Sequence, residues 1–215
     1  KSSAIEKLEL CTRRKKSWMD VNFPKLNEAK TEILVVLQPC AKVNLIDDPA
    51  PLRLVGCDLI PGPKVKDLGV FFDKNFIMEI QVRAVCKAAH FQLHKIWKIR
   101  DYINCDTVKF LVQQQIMSRL DYCNCLYFGL PDVTKNRLQR VQNAATRVVV
   151  KTKRHEHKTQ ILKILHWLPT KYRVRYEIRL MTFKELNGVA PDYLQDLVAP
   201  YMCLSVLSVR RAEIC

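Results

Sequence analysis

The chain has 215 residues, a hydrophobic fraction of 48% and a formal charge of +15. That length allows one domain with a sizeable core or two small ones, and the hydrophobic content excludes a disordered chain. Nine scattered cysteines without an opening secretory signal predict a reducing, intracellular setting, either nucleus or cytoplasm. Because no apolar run approaches the roughly 20 residues of a membrane span, we expect no membrane partner.

The first 75 residues predict a small α/β region. Residues 3–20 are typical of a helix, and the β-branched apolar run Thr31–Leu37 predicts a buried strand. A short strand is expected near Leu52–Cys57, between turns rich in proline. Val65–Phe72 predicts a further strand, in which Gly69 allows a bulge or a close backbone approach.

The rest of the chain predicts helices only, so the expected fold class is α+β, with a small N-terminal α/β part followed by an all-α region. Asp106 is the expected N-cap of the second of these helices, and Asn187-Gly188 is the expected stop of the fifth. The predicted helices cover residues 77–100, 107–128, 133–150, 159–166, 171–187 and 191–198.

Apolar residues at helical spacing predict which helix faces are buried. In the helix over 77–100 the expected inward residues are Ile80, Val85 (or Ala84), Ala88, Phe91 and Ile96. In the helix over 107–128 they are Val108, Leu111, Val112, Ile116 and Leu120. In the helix over 133–150 they are Leu138, Val141, Ala145 and Val148.

Positive charge is concentrated in residues 135–179, which contain 13 basic residues and two acidic ones. A surface that only needs to be solvated requires no such bias, and basic residues on rigid helices can neutralise nucleic-acid phosphates. We call the ten candidate residues the basic ridge: Arg137, Arg140, Arg147, Lys151, Lys153, Arg154, Lys158, Arg173, Arg175 and Arg179.

Other side chains near the basic ridge allow two interpretations. Tyr172 and Tyr176 are expected either to stack on bases or to pack in the core. Trp97 and Trp167 are expected to be core or interface aromatics. Asp121 is expected to form a structural hydrogen bond or ion pair between helices. The histidines of the sequence RHEH, together with His166, do not have the spacing of a zinc site, so no metal site is predicted.

Four segments, in order, resemble the reverse transcriptases of non-LTR retrotransposons (long interspersed elements). They are WMDVNFPKLNEAKTEIL, VKDLGVFFD, SRLDYCNCLYFGLP with RLQRVQNAATRVVV, and LHWLPTKYRVRYEIRLMTFKELNGVAPDYLQDLVAPY. Together these segments cover most of the chain. The last one ends at Tyr201, and the family pattern fades beyond that residue.

The resemblance implies a division of the chain into parts of a polymerase. Residues 1–75 correspond to a partial palm with a primer-grip-like hairpin, 76–150 to a thumb-like bundle, 151–201 to a helical extension and 202–215 to a tail. The primer-grip-like residues are Leu68, Gly69 and Val70. Lys30 corresponds to a palm lysine near the nucleotide phosphates, although a surface lysine is the expectation from the residue alone.

The catalytic aspartates of such polymerases, which hold two Mg²⁺ ions, have no counterpart here. The family carries an Ala-Asp-Asp turn upstream of LNEAKTE, whereas Asp47-Asp48 lies downstream and precedes Pro49. The resemblance therefore implies a C-terminal polymerase portion that is inactive alone, without a cofactor of its own. Its implied partner is RNA, DNA or their hybrid, bound through phosphates. The alternative is an inert or protein-interacting helical module from a decayed element, with self-association through Ile33, Val35 and Val36.

Overall fold

In a computed structural model of the chain, the described residues are 2–22, 24, 27, 30–36, 52–54, 57–152 and 158–195. They form helices α1 (Ser2–Val21), α2 (Glu79–Ile99), α3 (Cys105–Val112), α4 (Ser118–Asp121), α5 (Asp132–Val150), α6 (Lys158–Ile164), α7 (Thr170–Leu186) and α8 (Asp192–Gln195). Strands β1 (Leu52–Leu54) and β2 (Cys57–Leu59) pair antiparallel, as do β3 (Lys64–Asp67) and β4 (Val70–Asp73). A π-helical turn (Gln113–Met117) precedes α4, and a 3₁₀ turn (Asn124–Tyr127) follows it.

The α+β class is confirmed in this general form, because two small sheets precede a region whose described regular elements are all helical. The described residues fall into two compact units. Unit 1 comprises those of Lys1–Phe91 with Leu130–Arg137, and unit 2 comprises those of Gln92–Gly129 with Leu138–Cys215. The division between these units runs inside α2 and α5. Among the described helices, none combines the length and apolarity that crossing a membrane requires.

Residues 31–36 of unit 1 are coil, so the predicted strand Thr31–Leu37 is wrong over the part that the structure describes. A strand requires a neighbour that pairs along its length. Here the Gly62 amide donates to the Ile33 carbonyl, and no described residue forms a ladder with this segment. Its apolar side chains are half-buried or, at Val36, exposed.

Two hairpins replace the two single strands expected in residues 52–72. In the second, Asp67 pairs with Val70 across the two-residue turn Leu68-Gly69. Both turn residues have positive φ, 44° and 87°, which is the conformation of a type I′ turn. Asn-Gly is the usual sequence of that turn. Because Leu68 stands where asparagine is usual, the sequence does not indicate a hairpin here.

Asp73 and Gln81 connect the second hairpin to α2. The Asp73 carboxylate accepts hydrogen bonds from the amides of Asn75, Ile77 and Met78, at distances of 2.9–3.1 Å. The buried Gln81 side chain accepts from the Phe71 amide at 3.0 Å. Since Gln81 points at the hairpin, its side of α2 is the buried side.

The predicted inward face of α2 is therefore partly wrong. Ile80 and Phe91 are exposed, whereas Val82, Ala89 and Leu93 are buried, together with the correctly predicted Ile96. Apolar residues occur around most of this helix, so periodicity alone does not determine the face. The Gln81 hydrogen bond and the packing around it determine it.

Asn104, not Asp106, is the N-cap of α3. Its backbone is extended (φ −71°, ψ 165°) and its side-chain oxygen accepts from the Thr107 amide at 2.7 Å. Asp106 lies in the first turn. The predicted helix over 107–128 is interrupted at the π turn and ends at Asp121. Of its five expected core residues, Leu111 is half-buried, and the others are buried: Val108, Val112, Ile116 and Leu120.

Asn104→Ala is expected to lower the free energy of unfolding by about 1 kcal/mol, the usual cost of removing a helix N-cap. Asp106→Ala is the matched control, since it removes only a favourable charge in the first turn and should cost about 0.3 kcal/mol. Urea denaturation of both variants checks the assignment. A larger loss for Asp106→Ala than for Asn104→Ala would contradict it.

The buried face of α5 agrees with the prediction except near its end, where Val149 is fully buried and Val148 is half-buried. Polar residues also lie on that face. Gln142 and Thr146 are 0% exposed, and their hydrogen bonds are satisfied inside unit 2. The Gln142 side chain donates to the Leu168 carbonyl at 2.9 Å and accepts from the Thr170 amide and hydroxyl.

Helix α7 ends where Asn187-Gly188 predicts. Gly188 has φ 66°, its amide donates to the Glu185 carbonyl, and the Val189 amide donates to the Lys184 carbonyl. This pair of bonds is the Schellman arrangement of a helix C-terminus. The short helix α8 follows Pro191, and the tail beyond residue 195 lies outside the described residues.

Candidate nucleic-acid interface

The structure distributes the ten residues of the basic ridge among different environments. Lys153 and Arg154 lie outside the described residues, and Lys158 begins α6 with a side chain that is not described. Arg137 and Arg173 form ion pairs with acidic side chains. Arg140 is exposed on α5. Arg147 and Lys151 line a cleft, and Arg175 and Arg179 are exposed on α7.

Within unit 1, Arg137 serves a structural contact between α5 and α2. Its guanidinium lies 2.9 Å from a Glu79 carboxylate oxygen, to which Arg83 also donates at 3.2 Å. The hydrogen bond from Arg137 lowers the pKa of Glu79, and Arg83 adds to the effect. With two cations sharing one carboxylate, Arg137 is already partnered in the absence of nucleic acid.

Arg173 pairs with Asp121 of α4 inside unit 2, at a distance of 2.5 Å. The two side chains are only 21% and 31% exposed, so this pair is more buried than a surface salt bridge. Burial raises the pKa of the Asp121 carboxyl, and the Arg173 guanidinium opposes that rise without cancelling it. The structural ion pair expected for Asp121 is therefore present, and its partner is a residue predicted to bind phosphates.

The outer face of α7 carries a row of cations beside a row of aromatic rings. Lys171, Arg175 and Arg179 follow one another at four-residue spacing and are exposed, which places them on one side of the helix. Tyr172 and Tyr176, on the neighbouring row, are 53% and 56% exposed. Their core-packing interpretation is wrong, because the side of α7 that contains Thr170 and Val174 is the buried one.

None of the three cations of this face forms an ion pair with a described residue. We call Lys171, Tyr172, Arg175, Tyr176 and Arg179 the α7 face. The helix beneath it is held by the Arg173–Asp121 pair and by the Gln142 hydrogen bonds to Thr170. Because no described carboxylate holds these cations and the helix is fixed, the row needs little rearrangement to accept phosphates.

A second basic surface lies at the ends of α2 and α5, both within unit 2. It is a cleft of about 400 Å³. Four of its lining residues are basic and one is acidic. The lining residues are Trp97, Lys98, Arg100, Asp101, Arg147, Val148, Lys151 and Thr152.

Sequence reasoning missed several of these residues. Trp97 is 63% exposed, so its core interpretation is wrong and its interface interpretation stays a prediction, whereas Trp167 is buried. The motif KIWKIR, from Lys95 to Arg100, places a tryptophan among cations. This pattern could have indicated a second basic surface. Lys171 was also missed, although it lies four residues before Arg175.

The family resemblance implies polymerase roles for four residues, and the structure describes all of them. Leu68 and Gly69 form the exposed tip of the second hairpin, and Val70 is buried beside it. Lys30 is exposed in unit 1. Their polymerase roles stay predictions.

Within the described ranges, no three histidine, cysteine, aspartate or glutamate side chains come together as metal ligands would. Two of the three candidate histidines, those of the motif RHEH, lie outside those ranges, as does Asp47-Asp48. The third, His166, is exposed at the edge of a cavity with Trp167 and Pro169.

Comparisons with known proteins do not identify the chain. No family model, no curated protein and no solved structure matches it.

Proposed function

We propose that this chain is a C-terminal portion of a non-LTR retrotransposon RNA-directed DNA polymerase that binds nucleic-acid backbones without sequence preference. The family assignment rests on the four sequence segments. The binding activity rests on one observation, the α7 face, where three exposed cations without ion-pair partners among the described residues form a row beside two exposed tyrosines. Cations spaced along one side of a helix can neutralise successive phosphates of a backbone, which gives binding without sequence preference.

The dimensions of the α7 face suit a phosphate backbone. Lys171 and Arg179 are eight residues apart, which is about 12 Å along a helix. One strand of B-form DNA presents roughly three phosphates over that length. The three cations of the face can therefore each neutralise one phosphate.

Bond formation is not part of the proposal. The polymerases that the chain resembles use aspartate-held metal ions, and the only Asp-Asp pair in the sequence, Asp47-Asp48, has the wrong position for that role. The residues present do not fit the metal pair. The resemblance would make residues 76–150 a thumb-like bundle that contacts template and primer, and the second hairpin a counterpart of the primer grip.

The salt dependence of binding tests the proposal. For a fluorescent RNA–DNA hybrid, three phosphate contacts predict roughly 40-fold weaker affinity at 200 mM salt than at 50 mM. The triple variant Lys171→Glu, Arg175→Glu, Arg179→Glu should lose most of the affinity and most of this dependence. The control is Lys7→Glu, Arg14→Glu, Lys15→Glu, which changes the net charge equally on exposed positions of α1.

Equal losses in the two triple variants would show that net charge alone attracts nucleic acid, and would contradict an interface on α7. Affinity that does not change with salt would contradict phosphate binding altogether. Fluorescence anisotropy gives both readouts, and circular dichroism of the variants shows whether the helices persist.

A helical module that binds other proteins is the second candidate. The observation that favours it is the exposed apolar end of α7, where Phe183 and Leu186 precede the exposed Val189. Apolar side chains grouped on a surface commonly mark protein interfaces. A stable oligomer in size-exclusion chromatography, combined with no nucleic-acid binding at 50 mM salt, would favour this candidate over the first.

A further inference from the structure

The Arg100 side chain lines the cleft at the ends of α2 and α5, where hydrogen bonds hold it in place. Its guanidinium donates to the carbonyls of Val148 and Val149, both at 2.8 Å, and to that of Ile103 at 3.3 Å. The carbonyls at a helix C-terminus carry partial negative charge, which disfavours a nearby anion. Because Arg100 donates hydrogen bonds to two of the last carbonyls of α5, the repulsion between these carbonyls and an anion in the cleft is reduced.

The remaining cations of the cleft are accessible to a ligand. Lys98 is exposed, and the Arg147 side chain donates through Nε to the Asn143 carbonyl of its own helix. Neither forms an ion pair with a described residue. Lys151 pairs with Asp101 at 2.6 Å, and the side chains are 53% and 81% exposed. A pair this exposed contributes little stability, so a phosphate can replace the carboxylate without a large cost.

Trp97 gives the cleft an aromatic surface beside these cations. Its indole remains 63% exposed although it lies at the end of a well-packed helix. The His94 ring lies 6.3 Å from it at an interplanar angle of 18°, so the ring of a neighbouring residue supports the indole. An exposed tryptophan next to phosphate-binding cations is suited to stacking on a nucleobase.

We propose that this cleft binds one nucleotide of a single-stranded RNA or DNA, with the base stacked on Trp97 and the phosphate between Lys98 and Arg147. The inference rests on the proposed nucleic-acid binding and specifies which form of nucleic acid this surface recognises. In a duplex, each base is paired and stacked on its neighbours, so its face is not available to a side chain. The cleft volume of about 400 Å³ lies within the range of sites that enclose small ligands.

The test compares two tryptophans of equal exposure, since Trp18 on α1 is also 63% exposed. The full chain and its variants Trp97→Leu, Trp97→Phe and Trp18→Leu are titrated with a single-stranded oligonucleotide and with an RNA–DNA hybrid of the same length. Trp97→Leu should weaken single-strand binding about tenfold and leave hybrid binding within twofold. Trp97→Phe should retain most of the single-strand affinity, and Trp18→Leu should retain all of it.

Two further readouts complete the test. Tryptophan fluorescence should be quenched by the oligonucleotide in the Trp18→Leu variant and much less in Trp97→Leu. Arg147→Gln should weaken single-strand binding and lower the salt slope by about 0.7, the single-strand value for one phosphate.

Failure of this inference is distinguishable from failure of the proposed function. If the wild-type chain binds the hybrid through α7 and Trp97→Leu changes neither affinity, only the single-strand site is overturned. If Trp97→Leu weakens both ligands equally, the selectivity for single strands is overturned. A chain that binds neither ligand overturns both proposals. Quenching by a free mononucleotide at micromolar concentration, without quenching by the oligonucleotide, overturns the assignment to a strand.

Discussion

Replacing Gln142 by leucine is expected to lower the free energy of unfolding by about 3 kcal/mol. Gln142 is fully buried on α5, and its amide nitrogen donates to the Leu168 carbonyl while its oxygen accepts from the Thr170 hydroxyl and amide. Leucine can make none of these bonds. The buried Thr170 hydroxyl and the part-buried Leu168 carbonyl then lose this partner, and a buried polar group left without a partner costs about 1–3 kcal/mol.

Chemical denaturation followed by circular dichroism measures this loss. The matched control is Gln115→Leu, at an exposed position of the π turn, which should change the free energy of unfolding by less than about 0.5 kcal/mol. Similar values for the two variants would mean that the Gln142 hydrogen bonds do not hold the start of α7. The α7 face would then lack the rigid support that its proposed function requires.

Replacing Arg173 by methionine should reduce stability by about 2 kcal/mol, because it leaves the partly buried Asp121 carboxylate without its cation. Replacing Arg175 by methionine should have the opposite profile, with little effect on stability and a severalfold loss of nucleic-acid affinity. The two arginines are two residues apart on one helix, yet only Arg175 is exposed. Unfolding and anisotropy measurements on both variants therefore separate a structural from a binding arginine.

The pH dependence provides a second check on the Asp121–Arg173 pair. The pKa of Asp121 is raised in the folded chain by burial, so the native state retains a proton that the unfolded chain releases. Its contribution to stability is thus fully present below the ordinary carboxyl pKa and is lost as pH rises through the raised value. Asp121→Asn should remove this part of the pH profile. An unchanged profile would contradict the burial argument.

A double variant, Asp121→Leu with Arg173→Met, tests whether the pair stabilises the fold or only avoids an unpaired charge. Well-packed apolar residues often replace a buried ion pair without loss, so the double variant should be more stable than Arg173→Met alone. A further loss in the double variant would show that the pair contributes net stability of its own.

Several features of the fold followed from local sequence. The Asn187-Gly188 stop of α7 and the buried residues Leu138, Val141 and Ala145 of α5 agree with their predictions. A glycine that adopts positive φ and an apolar repeat at helical spacing act over one or two turns of chain. Their effect does not depend on what packs against them.

Features that depend on a distant partner were not predictable in this way. Thr31–Leu37 has the composition of a strand, but a strand also needs a neighbour that pairs along its length. The described part of the segment instead accepts isolated hydrogen bonds, from the Gly62 amide to the Ile33 carbonyl and from the Lys66 amide to the Glu32 side chain. The buried side of α2 was decided by Gln81 and its bond to the hairpin. Asn104 and Asp106 are both good N-cap residues, and the backbone conformation selected Asn104.

The sequence by itself determined the amount and the location of positive charge, because charge is a property of each residue. Only the tertiary structure decided what that charge can do. It pairs Arg137 with Glu79 and Arg173 with Asp121, exposes Lys171, Arg175 and Arg179 on α7, and brings Arg147 and Lys151 beside Trp97. The physical reason is that a cation is available to a phosphate only if no carboxylate from elsewhere in the chain already holds it, or if the carboxylate is exposed enough to be replaced.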